Sequence, residues 1–198
     1  ATGKAVLPGF VDSHTHFVFD GYRDEEFSWR LCGEDYMKIM ERGGGIVSTV
    51  SATRKASREE LIELGRKRLD SMLSFGVTTV EGKSGYGLDE ETELKQLEVM
   101  EALDRIHAVD VVRTFLGAHA VPIDFKGREE QYIDYMTDIV MPLVARRKLA
   151  EFCDVFCEKN VFSLEQSRRW LLKAKELGFK LKIHADEIQG KTDYDFYP

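Results

Sequence analysis

Five short apolar runs constrain this chain more than any other feature, because each ends in polar or glycine-rich residues and is separated from the next by longer, mostly amphipathic stretches. The runs cover residues 6–11, 77–80, 111–116, 152–156 and 179–183, and all are rich in Val, Ile, Leu or Phe. Runs of that length, bounded by turn formers, predict buried strands. The stretches between them carry helix punctuation. Ser57-Arg58-Glu59-Glu60 is a capping box that predicts a helix with Leu61, Leu64, Leu69, Met72 and Leu73 on one stripe and Gly76 as its stop. Asp89-Glu90-Glu91 places negative charge at the start of a helix running toward His107, and Ser163-Leu164-Glu165-Gln166 opens another that ends at Gly178. Residues 129–147 read as a helix with weaker signals.

Strands alternating with helices imply right-handed parallel βαβ units. The chemically loaded residues all follow strands: His14 and His16, Lys83 and Tyr86, His119, Glu158, then His184 and Glu187. A doubly wound sheet concentrates its site at one switch point, whereas a (β/α)8 barrel spreads it over the C-terminal ends of many strands. No GxGxxG or P-loop pattern supports the doubly wound alternative. The expected fold is α/β, a partial (β/α)8 TIM barrel with about five βα units over residues 1–189, since a closed barrel needs about 250 residues. Residues 190–198 show neither helical periodicity nor a cap and are expected to be a truncation end, a junction or a tag.

Composition narrows the function classes. A chain of 198 residues with 43% apolar and 32% charged residues is ordinary globular material with room for one sizeable core. Its 28 basic against 35 acidic residues give a net charge of −7, and no basic helix face carries interleaved aromatics, which argues against a nucleic-acid partner. No run approaches about 18 apolar residues, so no membrane span is expected, and the first residues lack the apolar stretch of an export signal. Cys153 and Cys157 would stand about 13 Å apart on one extended strand, too far to bond. Together with Cys32 they read as reduced thiols of a cytoplasmic protein.

His14-Thr15-His16 is the sharpest chemical feature. Residues i and i+2 of a strand share a face, so both imidazoles can reach one ion, and catalytic zinc uses three protein ligands plus an open position. His184, at the end of the fifth run, is the natural third. On these residues the chain resembles the amidohydrolase superfamily, whose first strand ends in such an HxH. The resemblance extends through Arg23, Gly43-Gly44-Gly45-Ile46, Lys83-Ser84-Gly85-Tyr86-Gly87, Gly117-Ala118-His119-Ala120-Val121-Pro122, Cys157-Glu158 and His184-Ala185-Asp186-Glu187, covering about residues 3–189. Those segments are similar to the branch that opens 4-imidazolone-5-propanoate to N-formimidoyl-L-glutamate in histidine degradation.

The resemblance implies that His14, His16 and His184 hold one zinc or iron ion, that Arg23, Tyr36, Tyr86 and His119 contact an anionic small-molecule substrate, and that Glu187 lies beside the attacking water. His119 and Glu187 are then the catalytic candidates, and a homodimer is the expected assembly. Three features of the superfamily have no counterpart in this sequence: an aspartate ligand on the eighth strand, a histidine near the sixth, and a small β-sandwich. A second reading is therefore a non-catalytic open half-barrel that binds metal and self-associates through its edges. A different hydrolase or deaminase of the superfamily fits less well, because Arg23 and Tyr86 suit an anion.

Each residue also has a plainer reading. Taken alone, Arg23, within Tyr22-Arg23-Asp24-Glu25-Glu26, reads as an exposed arginine among acidic neighbours, a reading that its offset from the HxH outweighs; the lesser readings are Tyr86 as a turn tyrosine, His119 as a satisfied core histidine and Glu187 as a helix-start charge. Lys83 and Glu158 fit a structural ion pair as well as a pocket, and His107 fits a helix C-terminal partner.

Overall fold

The structure, a computed structural model, describes residues 2–33, 44–158 and 161–185. Its strands are β1 (Phe10–Thr15), β2 (Val77–Lys83), β3 (Asp110–Ala118), β4 (Phe152–Cys157), β5 (Lys180–Leu181) and β6 (His184–Ala185). All pairings are parallel, the neighbour order is β1-β2-β3-β4-β5, and β6 also pairs with β4. Each strand is laid beside its predecessor with no reversal, which is barrel winding and not the doubly wound order. The result is a parallel half-barrel with flanking helices.

Two strands differ from the sequence reading. The first apolar run is not the strand: Val6 and Leu7 are exposed, and pairing begins only at Phe10 opposite Val77. Pro8, which has no N–H to donate, precedes the point where the ladder starts. His14 therefore lies inside β1 and His16 just beyond it. The fifth run is split into β5 and β6, both on β4, so together they fill one strand position.

The helices are α1 (Asp24–Leu31), α2 (Ile46–Lys55), α3 (Arg58–Ser74), α4 (Glu90–Ile106), α5 (Glu129–Tyr135), α6 (Met141–Arg146) and α7 (Leu164–Glu176). Both capping boxes are formed, at Ser57 with Glu60 and at Ser163 with Gln166, and the Asp89 carboxylate accepts from the Thr92 amide at 2.7 Å. Gly76 ends α3 with φ +89° and donates to the Leu73 carbonyl. Leu73 itself is exposed, so the apolar stripe of α3 is narrower than its spacing suggests. Between α5 and α6 the helix widens into a π-turn, Met136–Val140. Pro142 accounts for it: without an N–H, and with a ring that crowds the carbonyl four residues back, it cannot continue a regular α-helix.

The core lies between sheet and helices. Leu61, Leu69, Leu97, Leu103 and Phe115 are fully buried, each contributing about 1.5–3 kcal/mol through apolar burial. Trp170 of α7 packs on Phe115 of β3 with ring centroids 5.5 Å apart, and its indole donates to the Asp154 carbonyl at 3.0 Å. Cys153 and Cys157 are both buried on β4 and form no disulfide with each other. No helix among the described residues is long and apolar enough to cross a membrane.

Candidate active site

Histidines from the two ends of the sheet order meet at its C-terminal mouth. His184 of β6 and His14 of β1 are 170 positions apart in the chain, yet their Nε2 atoms lie 2.8 Å apart and their rings meet edge to face. Curvature of the sheet is what brings the ends together. Thr15 fastens the end of β1 by donating its hydroxyl to the Glu81 carbonyl at 2.6 Å. The other ring nitrogen of His184, Nδ1, is 3.0 Å from Asp154 Oδ2, though off the line of a proper hydrogen bond.

A buried charge network adjoins this pair. Lys83 donates from Nζ to Asp154 Oδ2 at 2.7 Å and to Glu81 Oε1 at 2.9 Å, and these three side chains are all under 5% exposed. Glu81 also accepts from Lys182 at 2.5 Å and from the Thr114 hydroxyl. Burial pushes both carboxyl groups up; at Glu81 the bonds from Lys182, Thr114 and Lys83 outweigh it, and at Asp154 His184 and Lys83 do, so both end below the usual carboxylate range. With Ser13, His14 and His184 these groups line an open cleft of about 430 Å³.

His16 joins a second cluster. Its ring stacks on His119 at 4.8 Å with an interplanar angle of 13°, and lies 4.9 Å from Tyr86. His119 Nδ1 is 2.9 Å from the Gly85 carbonyl. A carbonyl only accepts, so chemistry assigns the proton to Nδ1 and leaves Nε2 as an acceptor. Burial lowers His119 to about 4 and His16 well below its ordinary value, while burial and the neighbouring His184 lower His14. All three rings are thus neutral near pH 7, with lone pairs to offer. His16 Nδ1 is buried without a hydrogen-bond partner.

Arg23 immediately precedes α1, 3.8 Å from Glu26, and its charge acts on the Tyr86 phenol against burial, which raises that group. Tyr36 and Glu187 lie outside the described residues, as do residues 190–198. Lys83 is a buried ion-network residue, and Glu158 is buried just past β4. His107 closes α4, accepting from the Val109 amide at 3.1 Å and facing Asp70 at 3.2 Å.

Sequence reasoning missed four residues that shape the site: Glu81, Asp154, Glu93 and Gln96. Glu93 and Gln96 of α4 are fully buried under the loop that carries Tyr86. The signal available was an acidic residue inside a strand run, as in Phe152-Cys153-Asp154-Val155. A buried carboxylate there requires a cation from another strand.

The donor chemistry suits one transition-metal ion: neutral imidazoles, two with Nε2 atoms converging and a third with an orphaned buried nitrogen. Among the described residues no three His, Cys, Asp or Glu side chains are gathered so as to hold an ion as they stand. Of the three expected ligands the structure brings His14 and His184 together and sets His16 against His119.

A parallel half-barrel with histidines, a phenol and a guanidinium at its strand ends is a protein of the α/β-barrel class, which builds its sites on that face. No protein-family model matches the chain. Curated relatives narrow the class: the chain is 66% identical over 188 residues to an imidazolonepropionase of Clostridium tetani, 63% over 188 to one of Parabacteroides distasonis, and 58% over 186 to one of Bacillus cytotoxicus. These alignments take in 94% to 95% of this chain but only 44% to 45% of the relatives. The chain is homologous to part of imidazolonepropionase, and spans less than half the length of those relatives.

Proposed function

We propose that this chain carries the first metal-ligating and substrate-binding residues of a hydrolase that opens the cyclic amide C–N bond of 4-imidazolone-5-propanoate to N-formimidoyl-L-glutamate. The convergence of His14 and His184 from opposite ends of the sheet carries the reading, and the identity to imidazolonepropionases supports it. His14, His16 and His184 would hold a zinc or iron ion, which when bound supplies Lewis-acid activation of water. Arg23 offers a planar fork for the propionate and Tyr86 a phenolic donor; Tyr36 is the further donor read from the sequence. Neutral His119, its Nδ1 proton held by Gly85, accepts through Nε2 from a ring N–H of the substrate and orients the ring. Glu187 takes a proton from the attacking water and returns it to the ring nitrogen that departs as the C–N bond opens.

The partners that go with this reading are a small anionic substrate and a second copy of the chain in a cytoplasmic homodimer; the net charge of −7 argues against nucleic acid. Two measurements test it. Metal analysis is expected to find about one ion per chain and its loss in His184→Ala. Imidazolone absorbance is expected to decay on addition of metal-loaded protein; a protein that binds its ion stoichiometrically yet leaves the absorbance constant at high concentration is a metal-binding half-barrel and not a hydrolase.

A further inference from the structure

Glu93 is a fully buried carboxyl group that the proposed reaction does not use. It stands in the first turn of α4 and accepts backbone N–H groups from three residues of the loop after β2: Gly85 at 3.1 Å, Gly87 at 2.9 Å and Leu88 at 2.9 Å. The Ser84 hydroxyl also donates to it, while Ser84 Oγ accepts from the Leu116 amide of β3 at 3.0 Å. Gln96, one turn further along α4, accepts from the Tyr86 amide at 3.3 Å and donates to the Val18 carbonyl at 2.7 Å. Every amide from Gly85 to Leu88 is therefore held by one of two α4 side chains.

The loop needs such a clamp because its backbone is unfavourable. Leu88 has φ +56°, a conformation that a residue with a side chain keeps only when the surroundings over-determine it, and Gly85, at φ +106°, takes one that glycine alone adopts freely. A Cβ at Gly85 would lie 2.8 Å from the Leu116 carbonyl and 2.9 Å from His119 Nδ1. That closeness has a chemical consequence. The Gly85 carbonyl is the acceptor that fixes the His119 proton on Nδ1, and the next residue is Tyr86.

We propose that Glu93 is a positioning residue for the substrate end of the site: by gathering the amides of residues 85–88 it aims the Gly85 carbonyl at His119, sets that ring's tautomer, and places the Tyr86 phenol beside it. The role rests on the reading of Tyr86 and His119 as substrate contacts, but the geometry it predicts exists without substrate. A buried carboxyl that served packing alone would leave the tautomer untouched.

The test is long-range proton–nitrogen NMR of the His119 ring in the 15N-labelled 198-residue chain, with folding checked by near-ultraviolet circular dichroism. The unsubstituted chain is expected to show one form, with Nδ1 protonated and Nε2 bare. Glu93→Ala is expected to give a mixture of the two tautomers and shifted Tyr86 ring signals. Glu93→Gln, which keeps a carbonyl oxygen for the amide donors, is expected to restore the single form. Should the alanine variant fail to fold, Glu93→Asp, which withdraws the carboxyl by one methylene, takes its place with the same expected mixture. A single Nδ1–H form in the alanine or aspartate variant, the same mixture in the glutamine variant, or failure of all three to fold overturns the proposal. Because the readout needs no turnover, a protein that leaves imidazolone intact but shows the tautomer change removes the hydrolase reading and keeps the role of Glu93.

Discussion

Lys83 is where the chemistry of a single residue weighs most on the fold. Its ammonium, 2% exposed, answers two carboxylates that are 4% and 1% exposed. Lys83→Met keeps the length and removes the charge, which leaves Asp154 without a lysine partner among the described residues and Glu81 with Lys182 and the Thr114 hydroxyl. Removing one member of a buried ion pair is expected to destabilise by about 3–5 kcal/mol, since the partners keep their desolvation penalty, and urea unfolding with unchanged m-value checks it. Tyr132 makes a prediction about pH. It is fully buried on α5, donates to the Gly117 carbonyl at 2.7 Å, and burial raises its phenol well above 10. Below pH 10 neither the native nor the unfolded chain ionises this group, so its contribution is complete. Above about pH 10 the unfolded chain loses the proton and the native chain keeps it, so stability falls, by up to about 1.4 kcal/mol per pH unit. Cys153, pushed up by its own burial, acts in the same direction. Denaturation midpoints from pH 9 to 11 are expected to fall less steeply in Tyr132→Phe; equal slopes would mean that the phenol ionises in place.

At the scale of elements, helix starts were legible and strand starts less so, for a physical reason. A cap is local: the side chain and the amide that it satisfies are three residues apart. Ser57→Ala and Ser163→Ala are each expected to cost about 1 kcal/mol, measured by thermal or urea unfolding, because each hydroxyl accepts the amide of the third residue on. A strand begins where its neighbour begins, and the neighbour of β1 is 67 positions along the chain (Phe10 opposite Val77). The Val6-Leu7 pair is apolar but finds no partner there, while polar Asp12, Ser13 and His14 are carried in the strand. The site divides in the same way. The HxH spacing and His184 stand out in the sequence, because imidazoles after strands are conspicuous. Glu81, Asp154, Glu93 and Gln96 do not, because their meaning lies in partners on other strands and in loop amides whose positions only the fold determines. The π-turn Met136–Val140 interrupts the single helix that residues 129–147 suggest, because Pro142 acts on the turn before it and leaves no mark on the apolar spacing.

For the molecule as a whole, the open sheet has consequences that no single element shows. A barrel hides its strand edges by closing, and closure takes eight strands. Here β1 is hydrogen-bonded, among the described strands, only to β2, and it exposes Phe10 and Val11 by 57% and 67%. Val6 and Leu7, at 80% and 70%, extend the same apolar stretch. An unpaired strand edge beside exposed apolar side chains is a template for another chain. The 198-residue chain is therefore expected to self-associate, eluting above its 22.7 kDa monomer mass in size-exclusion chromatography with light scattering. Dilution should lower the apparent mass, and a hydrophobic dye should bind. Phe10→Lys with Val11→Lys places charge on that edge, the device natural sheets use against edge pairing, and is expected to shift the chain toward monomer while leaving its far-ultraviolet circular dichroism unchanged. A wild-type chain that stays monomeric at every concentration and binds no dye would show that the β1 edge is not the adhesive surface its exposure implies.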